Sequence, residues 1–370
     1  MNTFKGLFID DDKSDKTFID HLQINETLHF AFEIPEKGFL DLTDFILSEN
    51  LDILALDYRL DGEPVIITGD KSPNRYKAGV IAQQLREEIL IDIKKDFPII
   101  LVSHEDRIKE YFEPDKTAHD LFDLRYCKED LASSLFCKDE VVSLIKAYKA
   151  IIRLWEQENR LDKLLDFPIN KFYPQDALSI NEAKAPHQLS RLIFKNIIQR
   201  TGFLIDKNDL FAILGINHNS EEEEVGKLEK VLMDQGVNYN GIFSEGWLRW
   251  KKNELTNWTN DLCNIPFGDL TAQERVDCLN EKFSLSLNVA QSRWDNNSTN
   301  AYFAVSCSSC FNPTELSYTV ETYDTKRPFS FIDRKYICWS CIQTGENERQ
   351  RLPSDQKEAY IVEKIINGEI

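Results

Sequence analysis

Four strand-like runs in the first part of the chain, the first three mostly apolar, each end at a polar residue, and helix-like segments separate them. Phe4–Ile9 runs into Asp10-Asp11-Asp12, and Leu51–Leu56 ends on Asp57. Pro98–Val102 ends on Ser103, and Leu121–Cys127 ends before Lys128. Leu28–Ile34 alternates and reads as a further strand, while Lys16–Leu22, Leu42–Ser48 and Ala78–Leu90 carry helical spacing. Fully apolar strands separated by helices predict an α/β fold, a doubly wound five-stranded parallel sheet with helices on both faces. Such a sheet collects ligand-binding groups at the carboxyl ends of its strands. Asp10, Asp11, Asp57, Ser103 and Lys128 would then meet on one edge.

Carboxylates held together repel one another unless a cation joins them. An all-oxygen donor set with room for water suits Mg²⁺, which shares its shell with phosphoryl oxygens. An Asp can act as nucleophile toward a phosphoryl donor. A metal ion, an ammonium and a hydroxyl can hold the oxygens of the transferred group.

The order of these residues resembles the receiver domain of bacterial response regulators, the CheY-like (flavodoxin-like) fold. Phe8-Ile-Asp10-Asp11 matches that family's acidic pair, and Leu54-Ala-Leu-Asp57 its phosphoacceptor. Ile100-Leu-Val-Ser103 matches the switch hydroxyl, and Lys128 the family's amine. The resemblance implies Mg²⁺ held by Asp10, Asp11, Asp57 and the backbone carbonyl of Arg59, with phosphate accepted on Asp57 from a histidine kinase. It covers residues 1–135. There are departures. An insertion from Gly62 to Lys77 follows the acceptor, rich in turn-forming residues and read as a mobile flap. Glu129 stands where the family has Pro after its Lys, and Arg125 where it has an aromatic, with Tyr126 one place off. These departures favour a second reading, a pseudo-receiver adaptor that is never phosphorylated. Asp10-x-Asp12, Ser103 and Lys128 also resemble the first motifs of haloacid-dehalogenase-type phosphatases. That family's later acidic pair is not found beyond Lys128, and Asp57 would have no role.

Beyond the receiver segment, Asp139–Asp166 reads as one long helix. Its seam of Val141, Ile145, Tyr148, Ile152 and Trp155 could pack on its own domain or join a homodimer. Residues 136–185 form this helix and a linker that begins near Pro168. Residues 186–300 form a helical domain, with Leu189–Gln199, Lys207–Leu214, Glu221–Asp234, Glu245–Cys263 and Thr271–Ser284 as its helices. The aromatic-rich stretch 241–250 and Trp258 read as core.

Residues 301–370 hold Cys307-Ser-Ser-Cys310 and Cys338-Trp-Ser-Cys341, short strands around them and a terminal helix over 354–368. Each Cys-x-x-Cys can place two thiolates on one metal, and two such pairs complete a tetrahedron. This resembles a zinc-ribbon-like module, with a hairpin between the pairs and a structural Zn²⁺ with no open position. Cys127, Cys137, Cys263 and Cys278 look isolated.

The formal charge of −19 is concentrated early, with 29 acids against 16 bases in residues 1–130. That balance argues against phosphate-backbone binding by the first third. Around the cysteines, Lys326, Arg327, Arg334 and Lys335 are offset by Glu315, Glu321, Asp324 and Asp333. No basic recognition helix is visible, so an unknown protein partner is preferred to nucleic acid, and a DNA-binding regulator is a minor alternative. No apolar run is long enough to span a membrane, and the N-terminus lacks secretory-leader character. The expectation is a cytoplasmic signalling protein, acting as a phosphate sink or adaptor without metabolic turnover. Bacterial phage defence is one setting in which two-component-like proteins of this sort occur.

Overall fold

Five strands form one parallel sheet in the order β2-β1-β3-β4-β5. They are β1 (Phe4–Ile9), β2 (Leu28–Glu33), β3 (Ile53–Leu56), β4 (Ile99–Ser103) and β5 (Leu124–Cys127). The computed structural model describes residues 3–35, 38–60, 76–133, 136–263, 265–323 and 328–370. All four residues of β3 and all five of β4 are buried. That explains why these strands read as unbroken apolar runs rather than alternating ones. Leu7, Ile9, Leu54, Leu56, Ile99 and Leu101 share one core cluster with Leu42 and Ile46 of the helix Phe39–Ser48 and with Ile81, Ala82 and Leu85 of the helix Ala78–Ile89. Gly6 lets β1 and β2 approach, because a Cβ there would lie 2.7 Å from the Phe30 ring.

After β3, an isolated antiparallel bridge pairs Arg59 with Lys77, just ahead of the helix Ala78–Ile89. Residues 61–75 of the sequence-read flap lie outside the described residues.

The chain divides into two compact units, Met1–Ile193 with Gly241–Trp247, and Phe194–Asn240 with Leu248–Ile370. In the first unit the expected single helix over 139–166 is two, Lys138–Leu154 and Arg160–Leu165. The break follows Trp155, where the Arg160 guanidinium lies 4.4 Å from the indole and donates to the Trp155 carbonyl. Val141, Ile145 and Tyr148 of the seam are buried within this unit, so they present no free face to a second copy. The expected linker over 167–185 is instead the helices Ile169–Phe172 and Pro174–Asn181. Pro174 sits in the first turn, where its missing N–H has no partner to lose.

A buried ionic network joins the helices Ala78–Ile89, Lys138–Leu154 and Pro186–Ile193 to the segments that lead into β4 and β5. Arg86 donates to Asp96 at 3.0 Å, to Asp123 at 2.8 Å and to the Phe97 carbonyl at 2.9 Å. Asp123 also accepts from Tyr148 Oη at 2.7 Å, and Asp96 from the backbone N–H of His187 at 2.7 Å. Burial opposes the Arg86 charge, but Tyr148, Asp123 and Asp96 together raise its pKa.

The second unit packs the helices Lys207–Leu214, Glu222–Asp234, Lys252–Leu262 and Ala272–Phe283 around Trp250. The helix expected from Glu245 begins at Lys252, because Trp250–Lys251 pairs as a short strand with Leu204–Ile205. Phe243 and Trp250 are buried and Trp258 packs on Phe283, in line with a core role for these aromatics. Cys263 and Cys278 are not isolated, since their sulfurs stand 2.7 Å apart. The C-terminal strands are shorter than expected: Val305–Ser306 pairs with Pro313–Thr314, and Thr319–Glu321 with Tyr336–Cys338.

Candidate functional site

Strand order brings the polar strand ends together at the carboxyl edge of the sheet. Asp10 follows β1, Asp57 follows β3, Ser103 ends β4 and Lys128 follows β5; all four are buried. Oxygens of Asp10, Asp11 and Asp57 lie within 4.8 Å of one another. Lys128 Nζ donates to Asp10 Oδ2 at 2.6 Å and to Asp15 Oδ2 at 2.5 Å. It also lies 3.0 Å from Asp57 Oδ1, a charge contact without a directed hydrogen bond. Asp57 Oδ2 accepts from the Arg59 backbone N–H and from Arg107 Nη1, each at 3.0 Å.

Burial, and then the negative charge of Asp57, push the Asp10 carboxyl up to about 7, against the pull of Lys128. Burial works against the Lys128 charge, but Asp57 and Asp10 outweigh it and raise its pKa. Burial likewise opposes the Arg107 charge, but the negative charges of Asp57 and Asp11 outweigh it and raise its pKa. Carboxylates crowded enough to drive one toward neutrality fit a hard divalent cation such as Mg²⁺. The Ser103 hydroxyl is buried with no hydrogen-bond partner among the described residues, which fits a further oxygen ligand arriving at this edge.

Asp12 is exposed, and its carboxylate accepts from the backbone N–H and hydroxyl of Ser14. It is a helix cap, and the haloacid-dehalogenase-type reading loses its acid/base. Asp15, which is not one of the strand-end groups, is a buried partner of Lys128. Glu129 has a role of its own. It accepts from His104 Nδ1 at 2.7 Å and from the Glu105 backbone N–H at 3.1 Å, tying the end of β5 to the segment after β4. Tyr126 is turned onto Phe136 and donates to Glu140 at 3.2 Å.

The four cysteines form a second candidate site. Their sulfurs lie within 4.8 Å of one another, with Cys307–Cys341 at 3.9 Å and Cys310–Cys338 at 3.8 Å. Four thiolates about 2.3 Å from a shared Zn²⁺ stand roughly 3.8 Å apart, so the cluster fits a tetrahedral ion. The first pair sits in the turn between two short strands, but the second does not. Cys338 ends a strand and Cys341 lies inside the helix Trp339–Gln343. Backbone N–H groups of Ser309 and Cys338 point at Cys307 Sγ, and Arg293 lies 3.6 Å from Cys341 Sγ. Burial opposes the Arg293 charge, and Cys310, Cys338 and Cys341 overcome it, raising the pKa. Of the nearby bases, Lys326 and Arg327 lie outside the described residues, while Arg334 pairs with Glu321.

The strand order 2-1-3-4-5, with acidic groups at the carboxyl edge, defines a flavodoxin-like receiver fold. No protein-family model matches the chain, and no curated protein matches it. Among solved structures it is similar to the signal receiver domain of the response regulator NarL from Mycobacterium tuberculosis. That match has 12% identity, covers 40% of this chain and 98% of that one, and has a TM-score of 0.26. The Legionella pneumophila response regulator LqsR is similar at 12% identity over 64% of this chain and 76% of its own, with a TM-score of 0.27. The receiver domain of AraT from Geobacillus stearothermophilus matches at 14% identity over 39% and 93%, with a TM-score of 0.23. Among the described residues, no helix is long and apolar enough to cross a membrane.

Proposed function

We propose that this chain is a two-component-type signalling protein that accepts a phosphoryl group on Asp57 from a histidine kinase. The observation that carries this reading is the meeting of Asp10, Asp11 and Asp57 with Lys128 and the unpartnered Ser103 hydroxyl at one sheet edge. A carboxylate oxygen of Asp57 attacks phosphorus. The new P–O bond forms as the P–N bond to the donor imidazole breaks, and the electron pair leaves with the imidazole nitrogen. Asp10, Asp11 and Asp57 would hold Mg²⁺, which supplies charge neutralisation between carboxylate and phosphoryl oxygens. The backbone carbonyl of Arg59 would complete that shell, next to the N–H that donates to Asp57 Oδ2. Ser103 donates its hydroxyl to a phosphoryl oxygen. No metabolite is turned over.

The second unit carries the output, a protein-binding surface braced by structural Zn²⁺ on Cys307, Cys310, Cys338 and Cys341. Protein contact is favoured over DNA because Arg334 and Lys357 both pair with Glu321 rather than forming a basic stripe.

The test is labelling of wild type and Asp57→Asn with acetyl phosphate and Mg²⁺, read by intact mass. Wild type gains one phosphoryl group and the variant none. Equal labelling of both removes the assignment. The second reading, an unphosphorylated adaptor, draws on Tyr126 being tied to Glu140 and on the Lys128 donors already directed at Asp10 and Asp15. An unlabelled wild type with intact fold would favour it.

A further inference from the structure

We infer that Arg107 is a direct ligand of the phosphoryl group carried by Asp57, taking a share of the role that a single lysine cannot fill at this edge. The inference rests on the phosphoacceptor reading. Lys128 is completely enclosed, and its ammonium is already directed at Asp10 and Asp15 while touching Asp57. To serve a phosphoryl oxygen it must release a carboxylate that it currently neutralises. Arg107 is differently placed. It holds Asp57 Oδ2 through Nη1 alone, and its side chain is 31% exposed whereas that of Asp57 is fully covered. Arg107 therefore reaches the covered acceptor while keeping part of its own side chain open to solvent. The other N–H groups of its guanidinium have no acceptor among the described residues.

A guanidinium presents a planar fork that matches two oxygens of a phosphoryl group, with hydrogen bonds strengthened by charge. The charge balance needs it as well. Asp10, Asp15 and Asp57 share Lys128, Asp57 also meets Arg107, and Asp15 stands 3.5 Å from His104 Nε2. Phosphorylation of a carboxylate replaces its single negative charge with about two on the phosphoryl oxygens, a net addition of about −1. The backbone is prepared for the task. Arg107 ends the short helix Glu105–Arg107, whose first N–H is held by Glu129 of the loop after β5. That places the guanidinium four residues after the Ser103 hydroxyl, on the same segment.

The test titrates the full chain with Mg²⁺ alone, and then with beryllofluoride at saturating Mg²⁺, for wild type, Arg107→Ala and Arg107→Lys. Arg107→Ala should weaken beryllofluoride binding by about tenfold or more, the worth of a charge-assisted contact. Mg²⁺ alone should bind this variant as well as wild type or more tightly, because a repelling cation has gone. Arg107→Lys should recover part of the beryllofluoride affinity. Unchanged beryllofluoride binding in Arg107→Ala overturns the inference. So does a parallel loss of Mg²⁺ and beryllofluoride, which marks a residue that only supports the fold. A wild type that binds no beryllofluoride, or binds it equally well as Asp57→Asn, overturns the phosphoacceptor reading itself and Arg107's role with it.

Discussion

Lys128 Nζ stands 2.6 Å from Asp10 Oδ2, joining residues 118 positions apart in sequence across the ends of β3 and β4. The two strands that carry them are not neighbours in the sheet, so only the long lysine side chain spans the gap. This one ammonium contacts Asp10, Asp15 and Asp57 at once.

Removing it should therefore be costly. Lys128→Met leaves buried carboxylates facing each other, and breaking a buried ion pair by removing one partner costs about 3–5 kcal/mol. Urea unfolding at pH 7.5 without Mg²⁺ should show a loss of this size. Added Mg²⁺ should restore more stability to the variant than it gives to wild type. An unfolding curve that overlays wild type in metal-free buffer would contradict this.

The Asp10 carboxyl sets a pH dependence. Its folded value of about 7 lies above the ordinary aspartate value of 3.8. A raised folded value means that its contribution to stability is fully present below the unfolded pKa and is lost as pH rises through about 7. Metal-free protein should thus lose stability from this group between about pH 4 and pH 7. Mg²⁺ needs the ionised carboxylate, so the Mg²⁺-induced rise in Tm should be larger at pH 8 than at pH 6. Asp10→Asn should flatten that difference, and an equal Mg²⁺ effect at both values in wild type would count against the assignment.

The cysteine cluster should hold one Zn²⁺ per chain. Elemental analysis measures it directly, and thiol titration before and after chelation measures the four ligands. Cys338→Ser should lose the metal and loosen residues 301–370, because metal binding and local folding are coupled. Purified, stable protein without metal and with all four thiols freely reactive would refute the site.

Arg86 predicts an effect of another kind. Arg86→Met strands Asp96 and Asp123 in the interior and should cost about 3–5 kcal/mol in urea unfolding. Because the network lies away from the acidic edge, affinity for Mg²⁺ should be unchanged in the folded variant. A combined loss of stability and Mg²⁺ affinity would show that the two networks are linked.

Much of the site was legible because strand ends are legible. An apolar run such as Ile53–Leu56 marks a buried strand, and the next residue, Asp57, falls at its carboxyl end whatever else the chain does. Parallel pairing then brings Asp10, Asp57, Ser103 and Lys128 to one edge. The spacing of the two Cys-x-x-Cys pairs carried equal information. Arg107 and Asp15 lacked any such marker. Each sits in a short polar helical turn, where an Arg or Asp ordinarily faces solvent, and neither spacing nor hydropathy distinguishes them from Lys109 or Asp20.

By itself, the sequence determined the strand pattern, the identity of the strand-end groups and the sulfur ligand set, because these follow from local periodicity and covalent spacing. Tertiary structure alone decided which charges face each other. It turned Arg107 onto Asp57, set Asp15 beside Lys128, put Glu129 on His104 and gathered Asp96 and Asp123 around Arg86. It also ended the 139–166 helix early, where Arg160 folds back over Trp155. The physical reason is the same in each case. A charged side chain's partner is chosen by the direction in which packing leaves it pointing, and that direction exists only once distant segments have closed around it.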